Sequence, residues 1–335
     1  MSSGYFRNSG CRITNDVQIR GYEAVIMEND LIEVVILPGK GTDIFRLIYK
    51  PLGIDMLGKT PMGLREKDFA INTRQLDEGS FSDFYEGGWQ EIFPSGVTID
   101  PSIVPAQGFH GEVWGLKWKY EILEDSPEQI SIKFFTKTYR TPFYIEKTIT
   151  IENYKSAVYF KERIINHGSD PQQYMWGQHP VFGEPLLSGD SYIKIRGGVV
   201  KALSDSDEKS RFKNNSVFEW PIGKGKDGSE IDVSKILPKH REIDDMLFLS
   251  EFRDPFYSIV NQKTKVDFHF EWEKKVYPVI WMWMQYNGCT GFPFYGNAYL
   301  VALEPFTGFQ NDPSSPVLNP AEEVQTEFFV NISSY

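Results

Sequence analysis

Hydrophobic and polar residues alternate along this chain in short runs, which is the pattern of β-strands. The clearest run covers 266–272, where Val266, Phe268, Phe270 and Trp272 fall on one face and charged or polar residues fall between them. Alternation of this kind predicts a strand with one buried face and one solvated face.

Similar runs recur and are separated by turn residues such as Lys50-Pro51-Leu52-Gly53. No segment combines sustained helical periodicity with capping residues, which disfavours a doubly wound parallel sheet. The pattern therefore predicts a mainly β fold with antiparallel hairpins and meanders. The further predicted strands are 22–27, 31–37, 43–49, 54–57, 129–135, 143–151, 158–165 and 299–303.

Length and composition fit one folded domain spanning residues 1–335. The residues are 41% hydrophobic and 24% charged, and large all-β domains reach this size. Residues from about 201 to 245 are markedly polar, and we interpret them as an excursion over the surface. A role for this segment as a lid or a partner contact stays open.

Net charge excludes some classes of partner. The formal charge is −11, with 46 acidic and 35 basic residues, which argues against nucleic-acid binding. No long apolar run and no secretion signal is present, so we expect no membrane partner and a cytoplasmic location. Cys11 and Cys289 match neither a zinc-ligand spacing nor a disulfide framework, and we expect no metal. The oligomeric state stays open between monomer and homodimer.

Two of the five histidines are candidates for proton transfer near neutral pH. His167, His240 and His269 lie in turn or charged surroundings and are interpreted as structural or surface residues. His110 and His179 are instead embedded among small and aromatic residues. Each fits a functional histidine and a hydrogen-bonded core histidine equally well.

Glu304 is a candidate acid or base. It follows the apolar run 299–303, and a poorly hydrated carboxyl has a raised pKa that suits proton transfer. A glutamate before a proline at the end of a strand is also a common solvated edge residue, and this alternative stays open.

Five segments in chain order carry a resemblance to a known superfamily. The ordered set resembles the aldose-1-epimerase, or galactose-mutarotase-like, superfamily over nearly the whole length. The segments are Leu31–Gly41 with Asp43-Ile44, Gly87–Gly96, Phe109-His110-Gly111, Gln178–Phe182 and Leu303-Glu304-Pro305.

The resemblance implies a large antiparallel β-sandwich, a supersandwich, that interconverts the α and β anomers of a free sugar without metal or cofactor. By this analogy Glu304 is the base and His179 the acid in ring opening. His110 then donates a hydrogen bond to oxygen at or near the reacting carbon.

The resemblance also suggests sugar contacts, with Trp89 and Trp283 stacking on the ring and Arg74, Gln178 and Gln90 holding hydroxyls. Core packing explains the tryptophans just as well. Arg74 matches the arginine segment of the galactose and glucose enzymes only loosely, so the identity of the sugar stays open. The chain looks closer to less characterised branches of the superfamily.

Two other classes of function stay open. A β-sandwich rich in aromatic rings is also typical of a non-catalytic carbohydrate-binding protein. Another carbohydrate-active enzyme, such as a hydrolase, lyase or isomerase, is the second alternative. A hydrolase needs a second carboxyl, for which Glu91, Glu112 and Glu184 are candidates.

Overall fold

The computed structural model describes residues 7–68, 79–96, 108–203, 208–239, 241–310 and 314–335. These ranges contain one short helix, α1 (Gly79–Asp83), one 3₁₀ turn (Val113–Gly115) and many strands. None of the described helices is long and apolar enough to cross a membrane. The strands are β1 (Arg12–Ile19), β2 (Tyr22–Glu28), β3 (Ile32–Leu37), β4 (Asp43–Tyr49), β5 (Ile54–Asp55), β6 (Trp89–Ile92), β7 (Lys119–Asp125), β8 (Gln129–Lys137), β9 (Phe143–Glu152), β10 (Ala157–Asn166), β11 (Gln172–Gln173), β12 (Gly177–Phe182), β13 (Ser191–Lys194), β14 (Val199–Leu203), β15 (Val217–Glu219), β16 (Ile222–Lys224), β17 (Glu230–Asp232), β18 (Ile243–Ser250), β19 (Phe256–Asn261), β20 (Val266–Trp272), β21 (Val279–Tyr286), β22 (Tyr299–Phe306), β23 (Val317–Leu318) and β24 (Glu323–Ser334).

Two large antiparallel sheets make up most of the described chain. The larger has 12 strands in the order β1-β2-β3-β4-β6-β12-β22-β21-β18-β14-β15, with β5 paired to β4. The smaller has 8 strands in the order β13-β19-β20-β24-β10-β9-β8-β7. This architecture confirms the predicted mainly β, antiparallel fold.

The alternating runs fold as predicted. β20 has the predicted bounds, and β8, β9 and β10 form the predicted antiparallel meander. In β9 every second residue is buried, because its apolar side chains and Lys147 point towards the larger sheet and its other polar side chains point away from it.

The main hydrophobic core lies between the two sheets. Trp89 of β6 packs against Phe160 and Phe270 of the smaller sheet, with ring centroids 5.1 and 5.2 Å apart. One continuous cluster draws residues from Cys11 near the start of the chain to Ile332 near its end. Burial of this area drives the association of the sheets, and it leaves the other face of the larger sheet to be covered by loops.

Candidate active site

The outer face of the larger sheet carries the predicted catalytic side chains. β12 and β22 pair in a register that places His179 opposite Glu304, and β22 pairs with β21 so that Glu304 lies beside Trp281. Since successive strand residues point to opposite faces, Leu303 next to Glu304, and Phe182 three residues after His179, belong to the core between the sheets. His179, Glu304 and Trp281 therefore form a row across the adjacent strands β12, β22 and β21.

His110 reaches the same place from a loop. Its backbone N–H donates to the carbonyl of Gly96, and its φ is +62°, a left-handed conformation that non-glycine residues rarely adopt. The following Gly111 also has a positive φ, and a Cβ there would collide with the backbone of Phe93. This tight turn brings the His110 ring to 5.2 Å from the His179 ring, centroid to centroid.

The three side chains meet in one buried pocket. Nε2 of His179 lies 3.7 Å from Oε2 of Glu304. The exposed fractions of His110, His179 and Glu304 are 5%, 5% and 2%. Within the described structure, Nδ1 of each histidine and Oε2 of Glu304 have no hydrogen-bond partner. These atoms are therefore available to a ligand.

Burial shifts the pKa values of all three side chains. It lowers the pKa of His179 to about 4 and raises the pKa of Glu304 well above its usual value. Burial also lowers the pKa of His110 far below its usual value, and the nearby His179 adds to this effect. Burial thus favours neutral imidazoles and shifts Glu304 towards its protonated form. This reverses the acid and base implied by the resemblance.

The pocket has a volume of about 160 Å³. Cavities of about 150 Å³ in other proteins hold a benzene ring, so the volume accommodates a six-membered sugar ring. The wall is largely aromatic, with few polar groups. The lining residues are Phe81, Ser82, Tyr85, Phe109, His110, His179, Met246, Trp281, Trp283, Phe294 and Glu304.

Only one of the two expected stacking tryptophans lines the pocket. Trp283 is half-buried at its wall, and its Nε1 donates to Asp244 at 3.2 Å. Trp89 lies in the core between the sheets, which contradicts its predicted contact with sugar. Core packing, the alternative interpretation from the sequence, accounts for Trp89.

Gln178 also lies on the wrong face for sugar binding. It precedes His179 on β12 and therefore points into the sandwich, where its Nε2 donates to Glu91 and Glu162 at 3.0 Å each. Its Oε1 accepts from Nε1 of Trp89 at 2.9 Å. The predicted hydrogen bond from Gln178 to a sugar hydroxyl is wrong, because all its polar atoms are engaged in this interior network.

Gln90 shares the face of His179 but lies outside the pocket. Its Nε2 donates to the carbonyl of Gly87 at 2.7 Å and to Asp43 at 3.2 Å. The remaining predicted contact, Arg74, lies outside the described residues, as does His240.

Several pocket residues were not predicted from the sequence. Trp281 had a usable signal, because it shares the β21 face of Trp283. Tyr85 packs edge-on against His179 at 5.6 Å between ring centroids, and its buried hydroxyl has no partner in the described structure. Phe294 and Met246 reach the wall from a loop and from β18, and neither stands out in the sequence.

The polar segment near 201–245 runs along the end of the larger sheet. Within its described part, β15 pairs with β14 at the sheet edge, and β16 and β17 form a hairpin. None of its described residues from 208 to 239 lines the pocket. Residues 204–207 lie outside the described ranges. No group of three or more His, Cys, Asp or Glu side chains in the described chain is arranged to hold a metal ion.

Comparison with known proteins yields relatives by structure alone. No family model and no curated protein matches the chain. A galactose mutarotase-related enzyme from Lactobacillus acidophilus superposes with a TM-score of 0.63, covering 93% of this chain and 97% of that one at 17% identity. A galactose mutarotase-like protein from Clostridium acetobutylicum gives 0.64, covering 97% and 99% at 14% identity.

The chain has the galactose mutarotase-like fold. A provisionally assigned aldose 1-epimerase from Klebsiella pneumoniae extends the likeness, with a TM-score of 0.71 over 96% of this chain and 83% of that one at 12% identity. At such identities the likeness concerns the fold. A galactose mutarotase-like fold hosts a function only through its site, so the chemistry has to be argued from the pocket.

Proposed function

We propose that this protein is a mutarotase, an aldose-1-epimerase-like isomerase that interconverts the α and β anomers of a free sugar. The observation that carries the proposal is the convergence of Glu304, His179 and His110 in one buried pocket, with Glu304 Oε2 3.7 Å from His179 Nε2. Opening a hemiacetal requires one proton to leave the anomeric hydroxyl and another to reach the ring oxygen. A neighbouring acid and base supply both steps.

One transferable proton on the Glu304–His179 pair is enough for the cycle. The base takes the anomeric proton as the C1–ring-oxygen bond breaks, and the acid protonates the ring oxygen to give an open-chain aldehyde. After rotation about the C1–C2 bond, the former base returns its proton to the carbonyl oxygen, the former acid takes a proton back from the open-chain hydroxyl, and that hydroxyl oxygen closes the ring on the other carbonyl face. The pair ends as it began, without a co-reactant.

Burial assigns the starting roles differently from the superfamily analogy. The analogy makes Glu304 the base, whereas the raised pKa of Glu304 and the lowered pKa of His179 favour a protonated Glu304 as acid and a neutral His179 as base. Because ring closure reverses ring opening, each group serves as acid in one direction and as base in the other. The proposal therefore requires the Glu304–His179 pair and does not depend on which of the two starts as the acid.

Neutral His110 completes the site. A neutral imidazole carries one N–H donor and one acceptor, and Nδ1 of His110 has no partner in the described structure. In the donor tautomer it stabilises the charge that develops on oxygen as the ring opens. Such preorganised donors act strongly in a pocket from which water is excluded.

The pocket gives no support to a glycoside hydrolase. That chemistry needs two carboxyls roughly 5–10 Å apart, and Glu304 is the one carboxyl among the described lining residues. The candidates Glu91 and Glu112 make their hydrogen bonds elsewhere, Glu91 in the interior network and Glu112 with Thr141.

NMR exchange spectroscopy of sugar anomers tests the proposal. The Glu304→Gln variant keeps the shape of the side chain but cannot exchange a proton, so we expect catalysed exchange to fall about 10²- to 10⁴-fold. The matched control is Glu327→Gln, the same substitution at a largely exposed position of the smaller sheet. Unchanged exchange in Glu304→Gln, with sugar still bound, would favour a protein that only binds carbohydrate.

A further inference from the structure

The polar groups of the pocket are concentrated around the reacting bond. Four buried atoms at the pocket wall lack partners in the described structure: Nδ1 of His110 and of His179, Oε2 of Glu304 and the hydroxyl of Tyr85. In the proposed reaction, the first three serve the anomeric oxygen and the ring oxygen. Among the described lining residues, the Tyr85 hydroxyl is then the one remaining buried atom without a partner that could serve the other hydroxyls of a hexose.

Apart from Ser82, the rest of the described wall offers little hydrogen bonding. Nε1 of Trp281 already donates to the carbonyl of Gly308 at 2.8 Å, and Nε1 of Trp283 donates to Asp244 at 3.2 Å. Met246 and Phe294 continue this wall with apolar atoms. A hydroxyl pressed against such a surface loses its water without gaining a partner, which disfavours binding.

The apolar wall begins directly beside the catalytic row. Trp281 pairs with Glu304 across β21 and β22, and Trp283 lies two residues further along the same face. Two strand residues span about 6.6 Å, which is the scale of a pyranose ring. A ring whose reacting bond meets Glu304 therefore places its other carbons against this wall.

The charge of the described lining residues limits the class of ligand further. No lysine or arginine is among the described residues that line the pocket. Against these described residues a phosphate or carboxylate would lose its hydration without a cation among them to pair it. The wall favours a neutral ligand with apolar carbons exposed on the ring.

We infer that the preferred substrate is a neutral deoxy sugar, in which hydrogen or methyl replaces one or more hydroxyl-bearing groups away from the anomeric carbon. This inference rests on the proposed function for the placement of the ring, and its binding consequence is measured independently of turnover. Aromatic side chains pack well against such carbons, because C–H groups need no hydrogen-bond partner.

Matched sugars that differ only at carbon 6 provide the test. We would measure anomer exchange and calorimetric affinity for D-galactose against 6-deoxy-D-galactose, and for D-glucose against 6-deoxy-D-glucose, with glucose 6-phosphate as the anionic probe. We expect kcat/KM and affinity to favour each 6-deoxy sugar by about tenfold or more, because a buried hydroxyl without a partner is costly. We expect no catalysed anomer exchange of glucose 6-phosphate.

Two variants of Met246 test whether the apolar wall causes the preference for 6-deoxy sugars. Met246→Gln adds a hydrogen-bonding group to the apolar wall and should reduce the preference for 6-deoxy sugars. Met246→Leu keeps the wall apolar and should keep that preference, whatever it does to the rate. An unaltered preference in Met246→Gln would contradict the assigned role of this wall.

The outcomes separate the two proposals. Catalysed exchange with equal or better use of the parent hexoses would overturn the deoxy-sugar inference and leave the mutarotase proposal standing. Tighter binding of the 6-deoxy sugars without exchange of any sugar would overturn the mutarotase and retain the ligand class. Absence of both binding and exchange would overturn both.

Discussion

Glu304 and His179 illustrate how burial alone prepares residues for proton transfer. Neither has a charged partner besides the other within 4 Å in the described structure, and the dominant cause of both pKa shifts is loss of water. Burial destabilises the imidazolium and the carboxylate alike. Burial therefore shifts the pair towards a neutral imidazole and a protonated carboxyl.

The pH dependence of catalysis follows from this single proton. Below about pH 4 the imidazole of His179 becomes protonated and no base remains, whereas above the raised pKa of Glu304 no acid remains. We expect a bell-shaped profile of kcat/KM with its acid limb near pH 4, measured by anomer-exchange NMR after subtraction of the spontaneous rate. An acid limb near pH 6.5 would show that the histidine is well solvated.

Glu304 should also make the protein less stable at high pH. Its folded-state pKa lies above the unfolded value, so its contribution to stability is complete below the unfolded pKa and is lost as pH rises through the folded one. The uncharged Glu304→Gln variant avoids this loss. We expect its melting temperature to exceed that of the wild type by about 2 °C or more at pH 9, with a smaller difference at pH 4.

Calorimetry of both proteins at the two pH values checks this expectation. The Glu327→Gln control should show no comparable pH-dependent gain, because that carboxyl is largely exposed. An equal difference between Glu304→Gln and wild type at both pH values would mean that Glu304 does not titrate with a raised pKa.

At the scale of elements, the turn that carries His110 is the most constrained part of the site. Gly111 has φ +72° and lies so close to Phe93 that a Cβ would collide with its backbone. We expect Gly111→Ala to destabilise the fold by about 1–3 kcal/mol and to reduce kcat/KM by displacing His110. Urea unfolding and exchange kinetics measure the two effects.

Gly115 provides the control for this substitution. It lies four residues further along, and a Cβ there would meet no atom within 4 Å. Gly115→Ala should therefore leave both stability and kcat/KM close to wild type. Equal effects of the two alanines would contradict the constraint assigned to the turn.

The strands show how far the sequence reveals this structure. β9 and β20 could be predicted because each has one solvated face, so their apolar residues alternate visibly. β6 and β12 are buried on both faces, and every residue of each is buried. Without alternation, the sequence does not reveal which side chains face the pocket, which explains the misassigned Trp89 and Gln178.

The pocket was predictable only in part for a related reason. His110, His179 and Glu304 could be proposed from their residue types and from the superfamily resemblance. The apolar wall contains Phe294, Met246 and Trp281, residue types that occur throughout the core. Their role depends on loop conformation and strand register, which are set by long-range contacts.

At the scale of the whole molecule, a charged network lies within the sandwich. Nζ of Lys147 from the smaller sheet lies 2.9 Å from Glu91 of the larger one and 4.0 Å from Glu162. All three are nearly inaccessible to water, and burial together with Glu91 raises the pKa of Glu162 well above its usual value. The network therefore joins the two sheets directly behind the strand of His179.

Removal of the network's cation should be costly. Lys147→Met leaves Glu91 and Glu162 buried without their charged partner, and we expect a loss of about 3–5 kcal/mol in the free energy of unfolding. The matched change at an exposed ion pair, Lys161→Met opposite Glu327, should cost at most about 1 kcal/mol. Urea unfolding of both variants measures the contrast, and similar losses would show that the interior cation contributes no more than a surface one.

His179 and Gln178 point to opposite faces of β12, so the number of residues in this strand decides which of them faces the pocket. Insertion of a single residue before His179 would exchange the faces, sending the imidazole into the sandwich and turning Gln178 outward. Insertion of two residues would restore the facing and shift the imidazole by about one strand repeat. In any homologue that keeps this chemistry, length changes in β12 should therefore come in even numbers or be absorbed by a bulge.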